Sequence, residues 1–553
     1  MKKCALLFLF FYAVSCSKKS TPFTPPPANF LITSISVSDS AASKGSDFYQ
    51  VTVKPVIKIA FTAPVDHSSL ASNVSLVKSN GPSVSVNIAY SNSDSVVEIQ
   101  PASDLQYLSK YTFTISKAVQ SNQQVDLTTG KSISLITQID SSDKFQRVSD
   151  SALLDIIQKQ TFKYFWDFGH PVSGMARERN TSGDVVTTGG TGFAVMSIIA
   201  AINRNFISRS EGFARIDTIV NFLKNKCRRY HGAFSHWING ATGATIPFSD
   251  KDNGADLVET SFLMQGLLCA RQYFNSANAE ETALRNNINQ LWNGVEWNWF
   301  RNGGQNVLYW HWSPDYNFDM NMQIKGWNEA MIVYVLAASS NTDSIPKSVY
   351  DDGWASNGGM KNGSSFYGVP LPLGPDYGGP LFFSHYSFLG INPHDLSDVY
   401  ANYFTQNVAQ SLINYRYCVD NPKHFFGYSE DNWGLTASDD DLTNYAAHSP
   451  TNDDGVITPT AAISSLPYTP QQSMNAIRFF YYKLGDKLFK TYGFVDAFNL
   501  TDLWFADSFL AIDQGPQIVM IENYRSGLLW NLFMSCPEIK SGMTRLGFQS
   551  PNL

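Results

Sequence analysis

The 553-residue chain is short of cysteine, of positive charge and of cofactor motifs. Of its 6 cysteines, Cys227, Cys269, Cys418 and Cys536 are widely spaced with no CxxC. That spacing excludes a disulfide framework and a thiolate zinc site, and leaves these four as small buried hydrophobes. Lys and Arg number 40 against 47 Asp and Glu, a net charge of −7. No basic stretch stands out to release phosphate counterions, so nucleic acid and anionic headgroups are poor partners and a neutral ligand is expected. There is no HExxH, no EF-hand loop and no phosphate-binding Gly-rich loop, so neither a metal nor a cofactor is expected. A lone GGTG at Gly189 reads as a tight turn before a helix.

Aromatic residues are abundant: 12 Trp, 26 Tyr and 38 Phe. Most must fill cores, but rings also stack on the apolar faces of sugars. At the N-terminus "MKK" precedes the apolar "ALLFLFFYAV", too short to span a bilayer, and then "AVSC". The pattern resembles a lipoprotein signal over 1–16, with Cys16 as the acylated residue. It implies a protein lipid-anchored in a bacterial cell envelope, periplasmic or on the outer surface, which touches the membrane through that anchor only. A Pro/Ser tether follows over 17–29.

Between 30 and 140 the texture is β. Short alternating segments such as "VIKIAF", "NVSLVKS", "SVVEIQPAS" and "KYTFTIS" are separated by turn residues at regular intervals, the pattern of an Ig-like β-sandwich. From 150 to 553 the period becomes helical. Apolar helices such as "TGFAVMSIIAAI" and "AMIVYVLAAS" alternate with Gly- and aromatic-rich loops, which predicts one mainly α domain built as an α/α toroid.

Four constellations in that domain carry candidate chemistry. Asp252, Asp256 and Glu259 in "DNGADLVETSFLMQGLL" fall on one face at a 3.6-residue period ahead of an apolar run. The Asp256/Glu259 spacing also suits a capping box, so capping and pocket-facing roles both stand. In "YWHWSPDYNFDMNMQIKGWNEAMIVYVLAAS", Tyr309, Trp310, His311 and Trp312 are hard to bury together. Glu329 stands beside Trp327 before an apolar helix, where desolvation would raise its pKa and suit it to general-acid work; a first-turn helix acid is the bland alternative. The irregular region 340–395 looks like a site or lid segment, with Trp354, Tyr377, His385 and Tyr386 as sugar-compatible side chains. In "FADSFLAIDQGPQIVMIENYRSGLLW", Asp513, Gln514, Glu522, Asn523 and Arg525 bracket an apolar helix, and Glu522/Arg525 could be a structural i,i+3 pair.

Together "GGTGFAVMSI", "DNGADLVETSFLMQGLL", "KGWNEAMIVYVLA", "GGPLFFSHYSFLGINP" and "IDQGPQIVMIENYRSGLLW" resemble the glucoamylase-like domain of glycoside hydrolase family 144, over about residues 150–550 and in order. The resemblance implies an (α/α)6 barrel that hydrolyses β-1,2-glucan to sophorose or short sophorooligosaccharides with inversion. It assigns catalytic work to Asp252, Asp256, Glu259 and Glu329. The rings Tyr309, Trp310, His311, Trp312, Trp327, His385 and Tyr386, with Asp513, Gln514, Glu522, Asn523 and Arg525, become candidate substrate contacts. Glu329 is the expected acid, Asp256 or Glu259 the group positioning water, and Asp252 their support. An inverting pair of carboxyls stands about 6.5–9.5 Å apart to admit that water. The expected enzyme is endo-β-1,2-glucanase-like and monomeric. Two alternatives remain: an exo-acting sophorohydrolase or β-glucosidase, and a surface glycan-binding lipoprotein that would keep the rings and dispense with the acids.

Overall fold

The computed structural model describes residues 29–38 and 42–553; the expected signal, Cys16 and the tether to residue 28 lie outside the described residues. Among the described residues no helix is long and apolar enough to cross a membrane. The chain divides into one unit ending at Gln138 and a second, Ile139–Leu553.

The first unit is a β-sandwich of β1 (Ile32–Val37), β2 (Ala42–Lys44), β3 (Asp47–Val51), β4 (Ile57–Phe61), β5 (Val74–Lys78), β6 (Ser83–Val84), β7 (Val86–Ser91), β8 (Val96–Pro101), β9 (Lys110–Ile115) and β10 (Lys131–Thr137). One sheet runs β1-β4-β8-β7 and the other β2-β3-β10-β9-β5-β6, with β3 and β10 pairing in parallel. The period-2 pattern accounts for the core. Ile57 and Ile59 of β4 with Val97 and Ile99 of β8 are buried in one cluster with Leu76, Phe113 and Ile115 of the other sheet. Two features depart from the expected run of strands. Lys54-Pro55 splits one long segment into β3 and β4, and a short helix, His67–Asn73, starts at Asp66, whose carboxylate accepts the Ser69 N–H at 2.7 Å.

The second unit is an (α/α)6 barrel, as expected. Its inner elements are the helices Thr188–Asn203, Leu257–Tyr273, Met331–Ser339, Pro459–Ser464 and Ala511–Ser526, with 3-10 turns Leu381–Ser384 and Ser387–Leu389 in the remaining place. Every residue of Met331–Ser339 and of Pro459–Ser464 is buried, as are 257–270, 511 and 513–523. Helices apolar on all sides can only be accommodated inside. Outside them lie Asp150–Trp166, Arg209–Asn225, Ala279–Asn293, the Lys347–Trp354 turns, Tyr403–Asp420 and Pro470–Tyr482. These bury one face each; Arg209–Asn225, started by a full Ser208/Glu211 capping box, buries Ile216, Ile219, Val220 and Leu223.

Two sequence expectations are corrected here. Region 340–395 is a site segment rather than a lid: it provides one outer and one inner member of the ring, its Phe382 and Tyr386 line the cleft described below, and its Trp354 is fully buried. Nor is the GGTG a turn before a helix. Gly189, Gly190 and Gly192 are helical and buried in Thr188–Asn203. A Cβ on Gly192 would stand 2.1 Å from the Phe262 carbonyl oxygen, and one on Gly266 2.2 Å from the Gly192 oxygen. The two helices therefore cross backbone to backbone, a closeness that only glycine permits.

Candidate active site

The inner helices present their N-termini to one cleft of about 440 Å³. The segments that lead into them line it: Glu178, Arg179 and Thr187 before Thr188–Asn203; His236, Trp237 and Phe248 before Leu257–Tyr273; Trp310 and Glu329 before Met331–Ser339; Ala437 and Tyr445 before Pro459–Ser464; and Leu510 before Ala511–Ser526. Val258, Glu259, Phe262, Phe382, Tyr386 and Ile512 complete the wall. Rings with a few acids, an imidazole and a guanidinium make a lining suited to a polyhydroxylated ligand with apolar faces.

The three acids that sequence spacing put on one helical face are not on one. The helix begins at Leu257; Asp256 is its N-cap in extended conformation, paired antiparallel with His311, and Asp252 lies in the preceding loop bridged to Ser249. They converge nevertheless, through partners. The fully buried Asp256 accepts the Glu259 N–H on Oδ1 at 2.9 Å, and its Oδ2 meets His236 Nδ1 at 2.9 Å and Trp310 Nε1 at 3.3 Å. Half of the capping box is thus formed by Asp256. Glu259 does not return the bond: its Oε2 accepts the Gly189 N–H at 2.7 Å and the Thr187 hydroxyl at 3.1 Å. A Cβ on Gly189 would stand 2.8 Å from that same oxygen, so the glycine makes room for the carboxylate it binds. Asp252 Oδ2 lies 3.3 Å from His311 Nε2. Asp252 and Asp256 therefore stand behind the cleft wall, and Glu259 in it.

Electrostatics separate the group further. Burial and the charge of Asp256 push Asp252 up to about 7. Burial alone would raise Asp256 too, but its bond to His236 and the imidazole charge outweigh that and hold it below its ordinary value. Glu259 is raised, by burial first, against the opposing pull of His236. Burial disfavours the charge on His236, yet Glu259, Asp256 and Asp252 together push it up to about 9, so it is an imidazolium at neutral pH. Glu329 lies in the turn before Met331, half-buried where it faces the cleft and otherwise enclosed by protein. Burial, then the charges of Asp256 and Glu259, push it up to about 7.

A second acid group backs the cleft at Arg179. Arg179 is held by Glu178 and Asp439, each at 3.1 Å; Asp439 accepts the Ser508 hydroxyl, and Asp496 accepts the Asp439 N–H at 2.7 Å. Asp513, buried directly after the cleft-lining Ile512, neighbours Asp496. Burial, then the charge of Asp439, push Asp496 up to about 7, and burial, then the charge of Asp496 and the hydrogen bond to it, push Asp513 well above its ordinary value. The pair therefore retains a proton at neutrality.

Of the expected sugar contacts, Trp310 and Tyr386 line the cleft. The others are placed elsewhere. Tyr309 bonds Gln305 and Gln323, Trp327 donates to Gln410 at 2.8 Å, and the buried His385 meets Ser465 at 3.0 Å. His311 backs Asp252, and Trp312 stands with His231 and Trp299. Gln514 donates to the Tyr492 and Phe494 carbonyls, and Asn523 spans Leu389 O and the Leu529 N–H. Glu522 and Arg525 do not pair with each other: Glu522 takes Arg204, and Arg525 takes Asp155. Tyr377 packs on Phe366. Sequence reasoning missed Glu178, Arg179, His236, Trp237, Phe248, Phe382 and Tyr445; "SHW" and "RER", polar or aromatic residues just ahead of apolar helices, were the available signal.

Comparison with known proteins places this geometry among relatives. Residues 321–537 match the family model described as "Putative glucoamylase", and 32–136 that of a bacterial Ig-like domain. The chain is 47% identical over 422 residues to an exo β-1,2-glucooligosaccharide sophorohydrolase (non-reducing end) of Parabacteroides distasonis; the match covers 72% of this chain and spans 58% of that protein's length. It is 52% identical to an endo-β-1,2-glucanase from Chitinophaga pinensis, solved with sophorotriose and glucose, over 74% of this chain and 100% of that one, at a TM-score of 0.72. A β-1,2-glucanase structure from Parabacteroides distasonis is 38% identical, with 93% of this chain and 74% of that one covered, at a TM-score of 0.71.

Proposed function

Because the chain belongs to glycoside hydrolase family 144, the glucoamylase-like family of these β-1,2-glucan hydrolases, we propose that it hydrolyses β-1,2-linked glucooligosaccharides and releases sophorose. The observation that carries the reading is Glu329, a carboxyl facing the cleft and raised to about 7, in the same lining as Glu259. Glu329 protonates the departing glycosidic oxygen. Glu259, fixed through Oε2 by the Gly189 N–H at a helix N-terminus, keeps its other oxygen for the water that attacks the anomeric carbon. The imidazolium of His236 next to Asp256 and Glu259 favours their ionised forms, while Asp256 orients it. Asp252 and Asp256 are positioning residues in this scheme. Trp237, Trp310, Phe248 and Tyr445 supply ring faces for glucosyl units, and Arg179 donors for their hydroxyls.

Sophorose release follows the Parabacteroides sophorohydrolase, and a cleft of about 440 Å³ suits a short stretch of glucan. Time-resolved product analysis on linear β-1,2-glucan tests it. Sophorose as the first product supports the reading. An early ladder of long oligosaccharides shows internal cutting and overturns the exo mode, and no cleavage overturns the hydrolase. We propose also that Cys16 anchors the protein in the envelope; a Cys16→Ser variant should leave the membrane fraction, and an unchanged distribution would refute the anchor.

A further inference from the structure

Away from the acid/base pair, the antiparallel hairpin Ala437–Asp440/Asn444–Ala447 carries Ala437 and Tyr445 into the cleft wall. Beneath it Asp440, His448 and Asp454 bring one ligand atom each within 4.8 Å of one another. His448 is fully buried, and neither ring nitrogen makes a hydrogen bond, although Nε2 lies 3.6 Å from Asp440 Oδ2 and Nδ1 3.0 Å from Asp454 Oδ1. Asp440 is 4% exposed. Its Oδ1 accepts the Leu442 and Thr443 N–H groups at 2.6 Å, which fixes the carboxylate and leaves Oδ2, without a partner, toward the imidazole. A buried imidazole with neither ring nitrogen hydrogen-bonded, set between two carboxylates that have only each other to share a proton with, is costly unless something common to all three satisfies them.

We propose that Asp440, His448 and Asp454 bind a divalent transition cation of the Zn2+ class, which ties the cleft-wall hairpin to the Asp453–Asp454 turn. One nitrogen and two carboxylate oxygens form a borderline N/O donor set; Ca2+ takes six or more oxygens and has little use for imidazole. Bonds of about 2.0–2.1 Å at tetrahedral angles put ligand atoms about 3.3 Å apart; the Nε2–Asp440 Oδ2 spacing of 3.6 Å is near that value, and one ligand atom from each of the three residues lies within 4.8 Å of the others, so small side-chain shifts would close the set around an ion. The other metal-like triad, His236, Asp252 and Asp256, has its contacting nitrogen and oxygen already joined in a hydrogen bond and belongs to the active site. The three residues, at 440, 448 and 454, match no standard motif, and for that reason the sequence alone raised no expectation of a metal.

The test uses the full purified chain, dialysed against Zn2+, Mn2+ or Ca2+ and then against metal-free buffer, with elemental analysis and thermal melting. About one equivalent of Zn2+ retained, a melting temperature lowered by a strong chelator and restored by Zn2+, and loss of both effects in His448→Ala and Asp454→Asn are expected. Asp454 is the most exposed ligand, so Asp454→Asn keeps the test informative should His448→Ala fold poorly. Retention of Ca2+ alone, undiminished Zn2+ in the variants, or a wild-type melting temperature indifferent to chelator and Zn2+ would each overturn the site; in the last case a proton shared by Asp440 and Asp454 replaces the cation. None of these readouts depends on the hydrolase reading.

Discussion

The inner helices hold buried carboxylates at both their ends, and the two ends treat them oppositely. At the N-terminal ends Glu259 rests on the Gly189 amide and Glu329 faces the cleft, with no guanidinium on either. At the C-terminal ends Glu522 is fully buried and clasped by Arg204 at 2.6 and 3.0 Å, Asn203 at 2.9 Å and the Ser526 hydroxyl at 2.6 Å. Both kinds look alike in sequence: a glutamate beside an apolar helical run. What separates them is the partner, a backbone amide and a titratable imidazole at the cleft end against a permanently charged guanidinium at the other, and that distinguishes a carboxyl left open to the cleft from one held in a structural ion pair.

The largest effect that would break this contrast is on rate. Glu329→Gln should lower turnover of β-1,2-glucooligosaccharides by about 10²–10⁴-fold while melting normally, because the amide keeps the shape and lacks only the proton. In the wild type, Glu329 is raised to about 7 and is active when protonated, so turnover should fall as pH rises through about 7. The native state also holds a proton there that the unfolded chain releases, so this group's contribution to stability declines between the ordinary carboxylate range and about 7. Normal turnover by a well-folded Glu329→Gln enzyme would move the acid elsewhere.

Glu522→Gln should do the reverse. Removing one partner strands the Arg204 guanidinium and should cost about 3–5 kcal/mol of stability. Activity per folded molecule should be unchanged. Chemical denaturation with activity normalised to the folded fraction measures both, and a stable variant with a lowered rate would put Glu522 in the catalytic machinery.

Legibility in the sequence follows the same divide. The barrel was readable because helices apolar on every face have only one place to go, and the sandwich because its strands alternate cleanly. The fourth inner element was not: the 3-10 turns at 381–389 lack a 3.6-residue period and sit among glycines and prolines. Glu259 and Glu329 stood out as acids before apolar runs. Arg204, which neutralises Glu522, lies 318 positions away, so no local reading could tell that acid from them. His236 was invisible for a like reason: its partner Asp256 is 20 residues on, across a loop.

Gly189 and Gly192, three residues apart on one helix, sharpen the comparison at its cleft end. The nearest atoms to the new Cβ in Gly189→Ala are those of the Glu259 carboxylate and the edge of the Phe262 ring, whereas Gly192→Ala meets the Phe262 backbone at 2.1 Å. The first should leave stability within about 1 kcal/mol, helped by alanine's helix propensity, and cost on the order of 10²-fold in rate by displacing Glu259. The second should destabilise by about 1–3 kcal/mol or more. Equal effects in both assays would show that the Gly189 position serves packing alone.

The smallest effect probes the far end again, at Arg525, whose side chain pairs at 2.6 Å with an Asp155 that is 48% exposed. Water competes for that carboxylate, so Asp155→Ala should cost less than about 1 kcal/mol. The Arg525 guanidinium also donates to the Gln158 side-chain oxygen at 2.9 Å, so it stays in place when Asp155 is removed. If Arg525 held sugar, releasing it from its acid would change KM. Because it stands at the C-terminal end of Ala511–Ser526, with the cleft-lining Leu510 and Ile512 at the other end, KM and kcat should both match the wild type. A shifted KM would bring substrate to the far end of the ring and erase the distinction between its two ends.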